Sequence, residues 1–267
     1  MSGRLDGKVA IVTGGGSSGS TGGAGIGQAI AISLAREGAS VVVVDKSVER
    51  AAATLHEVEA HGGRGVVVEG DVTSESDCAA MVQVATERFG GLDILVNNAA
   101  VSRHVAITET TMELYDEIIG VNLTGSFLAC KFAIPALIER GGGSIVNIGS
   151  IAGIRDSGTS HPAYCASKAA QLGLTIDLAG AYGRDNVRVN AVLPGIIATP
   201  MQASVGTVAD DVRARLNLLG RMGDAWDIAN AVVFLCSDQG AYITGVALPV
   251  DGGATAGMPA SAHRAAR

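Results

Sequence analysis

Aromatic residues are scarce in this chain, 3% of 267 residues with a single tryptophan, so a core within its 48% apolar content must be built from Val, Ile, Leu and Ala. Cysteine is equally sparse. Cys78, Cys130, Cys165 and Cys236 lie far apart, without a Cys-x-x-Cys pair or nearby histidines, so neither a disulfide framework nor a metal site is expected. The four read as reduced, mostly buried small residues. Lys and Arg form no cluster and the formal net charge is −7, which argues against nucleic acid as a partner and is explained by solubility. No apolar signal region opens the chain and no run of membrane-spanning length is evident. Cytoplasm is then the default expectation, with no membrane partner.

What the chain does have is alternation. Strand-like runs near 8–13, 41–45, 65–69, 92–96, 143–149, 187–193 and 246–250 are separated by segments of helical period. Runs of Val and Ile without polar alternation suit strands covered on both faces. The order predicts an α/β, single-domain, doubly wound (Rossmann) fold with a seven-stranded parallel sheet and helices on both faces. One domain over residues 1–254 is expected, followed by an Ala-rich, poorly ordered tail over 255–267. Ligands of such a fold bind beyond the carboxyl ends of the strands.

Several residues at those ends carry chemistry. The first strand runs into Gly14-Gly15-Gly16, and Gly25-Ile26-Gly27 opens the next helical pattern. Glycines let the backbone approach a pyrophosphate, and the free N–H groups of a helix start attract its charge. Asp45 ends the next apolar run, about twenty residues on, where an acid binds both hydroxyls of an adenosine ribose and repels a 2′-phosphate. The cofactor expected is therefore NAD, although Lys46 beside Asp45 softens that repulsion. Tyr164 and Lys168 stand one helical turn apart on one face. A cation beside a phenol lowers its pKa and makes it a proton exchanger for an alcohol or carbonyl.

With these features in order, the chain resembles the short-chain dehydrogenases/reductases over residues from about 5 to 253. Thr13-Gly14 and Gly25-Ile26-Gly27 resemble the family's cofactor loop, Asp71-Val72 its adenine contact, and Asn97-Asn98-Ala99-Ala100 the segment after its fourth strand. Asn122 matches the helix asparagine, Ser150, Tyr164 and Lys168 the active-site trio, Pro194-Gly195 with Ile197 and Thr199 the nicotinamide-side loop, and Asp251-Gly252-Gly253 the C-terminal signature.

The resemblance implies hydride transfer between a secondary alcohol, or its ketone, and a nicotinamide cofactor. Tyr164 is the implied acid/base, Ser150 would hold the substrate oxygen, Lys168 would serve the phenol and the nicotinamide ribose, and Asn122 would support a water leading to Lys168. No metal is required. Two spacings depart from the family. Ten residues, Gly15 to Ala24, separate Gly14 from Gly25 where three are usual, an insertion of seven, and Ser150 precedes Tyr164 by fourteen residues where thirteen is commoner. A one-residue insertion in the loop near Asp156 to His161 would absorb the second.

By the same resemblance the substrate pocket would hold Arg103, His104, Arg155, Asp156 and His161, which suits a polar or anionic substrate. Met201 to Arg221 would form a mobile lid whose Val205, Val208, Leu216 and Leu219 suit an apolar or cyclic one. Wide apolar faces on the helical patterns 111–139 and 162–183, which the family pairs between subunits, imply a homotetramer or its half. Two other functions remain open at this point: an NADPH-dependent ketone or 3-oxoacyl-carrier reductase, and a dinucleotide-binding protein without catalysis, which would need no proton relay.

Overall fold

The computed structural model describes residues 3–16, 23–156, 158–200 and 210–257. Its strands are β1 (Val9–Thr13), β2 (Ser40–Asp45), β3 (Arg64–Glu69), β4 (Ile94–Asn97), β5 (Gly143–Ile148), β6 (Val187–Pro194), β7 (Ile197–Ala198), β8 (Gly223–Asp224) and β9 (Ala247–Val250). Seven form one sheet in the order β3-β2-β1-β4-β5-β6-β9, and every pairing is parallel. These are the seven strands the sequence predicts. The short β7–β8 pair was not legible, since two-residue strands carry no periodicity.

The sequence pattern explains the layers. Along β1 and β2, Ala10, Val12, Val41 and Val43 point to one face and pack with Ile30 and Leu34 of helix α1 (Ile26–Arg36). Val9, Ile11, Val42 and Val44 point to the other and pack with Cys78 and Met81 of α3 (Glu75–Phe89). Both faces are covered, so neither shows a polar stripe. Each fully buried Val contributes about 1.5–3 kcal/mol, an upper estimate against a compact unfolded chain.

The remaining helices are α2 (Val48–Ala60), α4 (Met112–Ile119), α5 (Gly125–Glu139), α6 (Pro162–Tyr182), α7 (Asp210–Ala214) and α8 (Ala225–Cys236). A π turn over Gly120–Thr124 joins α4 to α5. Met112–Glu139 thereby becomes a 28-residue helical stretch holding an 18-residue window of mean hydropathy 1.5, long and apolar enough to span a bilayer by length and composition alone. Half of that apolar window is buried inside the fold. The helical pattern over 111–139 is legible in the sequence, but Asn122 and Lys131 interrupt its apolar residues, so no uninterrupted run of that length stands out.

β1 and β4 are neighbours, and the chain leaves them in opposite directions across the sheet. A crevice opens at such a reversal, beyond the strand ends. Of the inserted segment, Ser17, Ser18, Ser20 and Thr21 lie outside the described residues, as do the first nine positions of the expected lid and residues 258–267 of the expected tail.

The cysteines sit as the sequence suggests. Cys78, Cys130 and Cys236 are buried free thiols, pushed up by burial to about 11, about 12 and about 12. Among the described residues no group of three His, Cys, Asp or Glu side chains is placed to hold a metal.

Candidate active site

One cavity of about 1310 Å³ occupies the crevice and reaches from the glycine turn to Tyr164. At its first end Gly14 follows β1 with φ +60°, a conformation that favours glycine. A Cβ there would stand 2.8 Å from Ala99 Cα, and one on Gly27 would stand 2.2 Å from the Gly14 carbonyl oxygen. Asn98 ties the two strands of the reversal together: its amide donates to the carbonyls of Thr13 (3.1 Å) and Gly14 (2.8 Å). Gly25 caps helix α1 without a side-chain hydrogen bond and its first turn holds no acid, so among the described residues no side chain takes its first N–H groups, which suit an anion.

Asp45 lies at the next strand end, buried. One carboxylate oxygen accepts from Gly16 N (3.0 Å), and the other from Ser47 N (3.0 Å) and Arg50 Nη2 (2.8 Å). Val72 lines the cavity, while Asp71 is not among the lining residues and pairs with Lys46 at 2.8 Å. The close-approach glycines, the open helix start and the Asp45 carboxylate fit the pyrophosphate and adenosine ribose of a dinucleotide. Arg50, on the first turn of α2, was not predicted. Its signal was available, since it follows Asp45 by five residues and shares the wall of the same site.

At the other end Ser150 leaves β5, and its Oγ accepts from Ala152 N (3.1 Å). Tyr164 stands in the first turn of α6, which Pro162 opens, and the Ser150 hydroxyl lies near enough to its phenol to favour the charged form. Burial pushes the phenol pKa up, with Ser150 pulling it back. Lys168 is fully buried, its pKa lowered by burial to about 7. Its Nζ donates to Ile148 O (2.7 Å) and Gln171 Oε1 (3.0 Å), and stands 5.8 Å from the centre of the Tyr164 ring. Pro194, Gly195, Ile197 and Thr199 close this end.

Asn122 is brought here too, in the π turn, a distortion frequent at functional sites. Its side chain is wholly engaged: Oδ1 accepts from Val101 N (2.8 Å), and Nδ2 donates to Val101 O (3.0 Å) and Ser167 Oγ (3.0 Å). The asparagine amide therefore locks the segment after β4 onto α6, the helix that carries Tyr164 and Lys168.

The substrate-side residues separate. His161 is buried against Tyr164, ring centres 5.2 Å apart, and His104 lies 4.6 Å beyond it. Burial lowers the pKa of both imidazoles, and His104 adds to the effect on His161. Arg155 lines the cavity, but its guanidinium donates to the carbonyls of Asp156 and Ala254. Arg103 is not among the lining residues; it is an exposed side chain paired with Glu117 at 3.4 Å.

Comparison with known proteins agrees with this geometry. The family profile described as enoyl-(acyl carrier protein) reductase matches residues 19–255. The chain is 41% identical to the 2-(S)-hydroxypropyl-CoM dehydrogenase 3 of Xanthobacter autotrophicus, over 96% of this chain and 100% of that protein. It is 38% identical to the 2,5-dichloro-2,5-cyclohexadiene-1,4-diol dehydrogenase of Sphingobium indicum, over 97% and 100%. A 7α-hydroxysteroid dehydrogenase solved with NADH and 7-oxo glycochenodeoxycholic acid superposes with a TM-score of 0.87 at 35% identity, covering 94% of this chain and 95% of that one. The chain belongs to the short-chain dehydrogenase/reductase family. It is an oxidoreductase of secondary alcohols or their ketones that uses a nicotinamide dinucleotide.

Proposed function

We propose that this protein is an NAD-dependent dehydrogenase of a cyclic, uncharged secondary alcohol bearing a second oxygen, with Tyr164 as the acid/base. The observation that carries it is the convergence of Ser150, Tyr164 and Lys168 on one cleft whose far end holds Asp45. When bound, the nicotinamide supplies the hydride acceptor. Ser150 fixes the substrate oxygen beside the phenol, and Tyr164 Oη takes its proton. Burial alone makes the phenolate costly, so the Lys168 cation is needed to offset it. The imidazoles of His104 and His161, both with lowered pKa values, are neutral at pH 7 and suit a hydroxyl or carbonyl. The Arg103 and Arg155 guanidiniums are turned to protein partners, which disfavours an anionic substrate.

Asp45 supports NAD: three of the roughly four lone-pair sites of its carboxylate are taken, and the one left on Oδ2 can accept from a ribose hydroxyl. A second reading, an NADPH-dependent reductase, draws support from Lys46 and Arg50 on the same wall. The test is a screen of cyclic diols, cyclic mono-alcohols and their ketones with both cofactors, followed by nicotinamide absorbance. Turnover confined to the phosphorylated cofactor would overturn the NAD assignment.

The proposed assembly is a homotetramer built on α5 and α6. Phe127 and Ile176 are 54% and 63% exposed there, and a second cavity of about 620 Å³ between the helices is lined by Ile134, Leu174 and Leu178. Apolar groups this exposed mark a contact surface. Light scattering should give four chains, or two, and Ile176→Asp should reduce the number; a monomeric parent at micromolar concentration contradicts the proposal.

A further inference from the structure

Gln171 is completely buried on α6, one turn beyond Lys168. Burying an amide is costly unless both its ends are bonded, and here both are. Oε1 accepts from Lys168 Nζ at 3.0 Å, and Nε2 donates to Ser126 Oγ at 2.7 Å. Ser126 lies on α5, and its hydroxyl donates in turn to the main-chain carbonyl of Asn122 at 3.0 Å. That bond uses the single hydroxyl proton, so Ser126 can only accept from Gln171, and the amide oxygen must face the lysine. The backbone of Gln171 is held as well: Thr175 Oγ1 donates to its carbonyl (2.8 Å) and accepts from Asn147 Nδ2 (2.9 Å), whose Oδ1 accepts from Asn97 Nδ2 (2.9 Å). A row of buried polar side chains thus runs from β4 and β5 to the catalytic lysine.

We propose that Gln171 is a positioning residue for the reaction, which with Ser126 ties the Lys168 ammonium to the main chain of Asn122 and sets the direction of its remaining N–H. The proposal rests on the assignment of Tyr164 and Lys168 as the proton-exchanging pair. An ammonium has three N–H bonds. Ile148 O and Gln171 Oε1 take two, which leaves one for the cleft. A neutral amide does not pass protons on, so the link fixes the lysine and does not conduct. It also favours the charged form, the one that burial opposes in Lys168. Tyr164 is the ionisable group facing Nζ. The neighbouring elements present uncharged groups, Asn147 from β5, Asn122 from the π turn, Ser126 from α5 and Ser150 from the turn after β5, while Glu117 on α4 is engaged by Arg103.

The test compares kcat against pH for alcohol oxidation in the parent and in Gln171→Leu, Gln171→Glu, Ser126→Ala and Tyr164→Phe. Loss of a hydrogen bond to a charged group should lower the Gln171→Leu kcat about tenfold and move the acid limb of the profile about one unit higher. The alcohol KM should change by less than about threefold. Gln171→Glu, which keeps an acceptor, should recover most of the rate and return the limb to or below its parent position. Ser126→Ala should shift it in the same direction as Gln171→Leu but less, and it carries the test if the leucine variant fails to fold by thermal melting. A Gln171→Leu profile that superimposes on the parent's, with kcat within about twofold, or a glutamate variant no better than the leucine one, overturns the proposal. An active Tyr164→Phe would instead sink the underlying mechanism, which separates the two failures.

Discussion

Asp45 and Lys168 stand at the two ends of one cleft, and their surroundings are opposite. Three donors meet the Asp45 carboxylate, one of them the Arg50 guanidinium, whereas Lys168 has two neutral acceptors and full burial. A charge met by donors and a cation serves as a fixed recognition point. A charge held by neutral acceptors in a dry site sits near its titration point, at about 7, and can respond to the phenol beside it. On the proposed mechanism, the difference separates the end that would bind the cofactor from the end that would react.

The sharpest way to break this comparison is to disable the reacting end alone. Tyr164→Phe removes the oxygen proposed to transfer the proton and little volume, so kcat should fall by about 10²–10⁴. NAD binding, followed by protein fluorescence, should stay within about threefold. A dissociation constant that rises with the loss of activity would mean that the two ends are not separable.

Disabling the binding end should give a smaller and different effect. Asp45→Ala would remove the proposed ribose contact and the proposed repulsion of a 2′-phosphate, and it releases Arg50, which now spends its guanidinium on Asp45 at 2.8 Å. The ratio of kcat/KM for NAD over NADP should fall about tenfold or more, since a charge-assisted hydrogen bond contributes about 1.5–3 kcal/mol. An unchanged ratio would place cofactor choice elsewhere on the wall.

The binding end was the more legible in the sequence, for a physical reason. Gly14, Gly25, Gly27 and Asp45 sit at ends of strands or the start of a helix, where local pattern fixes both the element and its terminus. Tyr164 and Lys168 were legible because residues four apart on one helix share a face. Gln171 and Ser126 were not: they meet across α6 and α5, 45 positions apart, and nothing local distinguishes a buried glutamine from an exposed one. Arg103 and Arg155 show the converse. Chain position put both near the substrate, but a long flexible side chain goes where an acceptor is, and here those acceptors are Glu117 and three carbonyls.

The smallest effect concerns stability, where the reacting end should be a liability. Lys168 has a folded pKa of about 7 against 10.5 for the free side chain, so between those values the unfolded chain binds the extra proton. Unfolding free energy then rises with pH across that window, and below about 7 the full cost of burying the cation is felt. Lys168→Met has no such contribution, although it leaves the Gln171 oxygen without its donor, a constant loss of about 1–3 kcal/mol. The pH trend of the difference is therefore the quantity to read. Relative to the parent, the Met variant should melt highest at pH 7 and lose that standing by a few degrees as pH approaches 10. A difference in melting temperature that stays flat over this range would show that Lys168 keeps its proton throughout, and that burial does not set its charge.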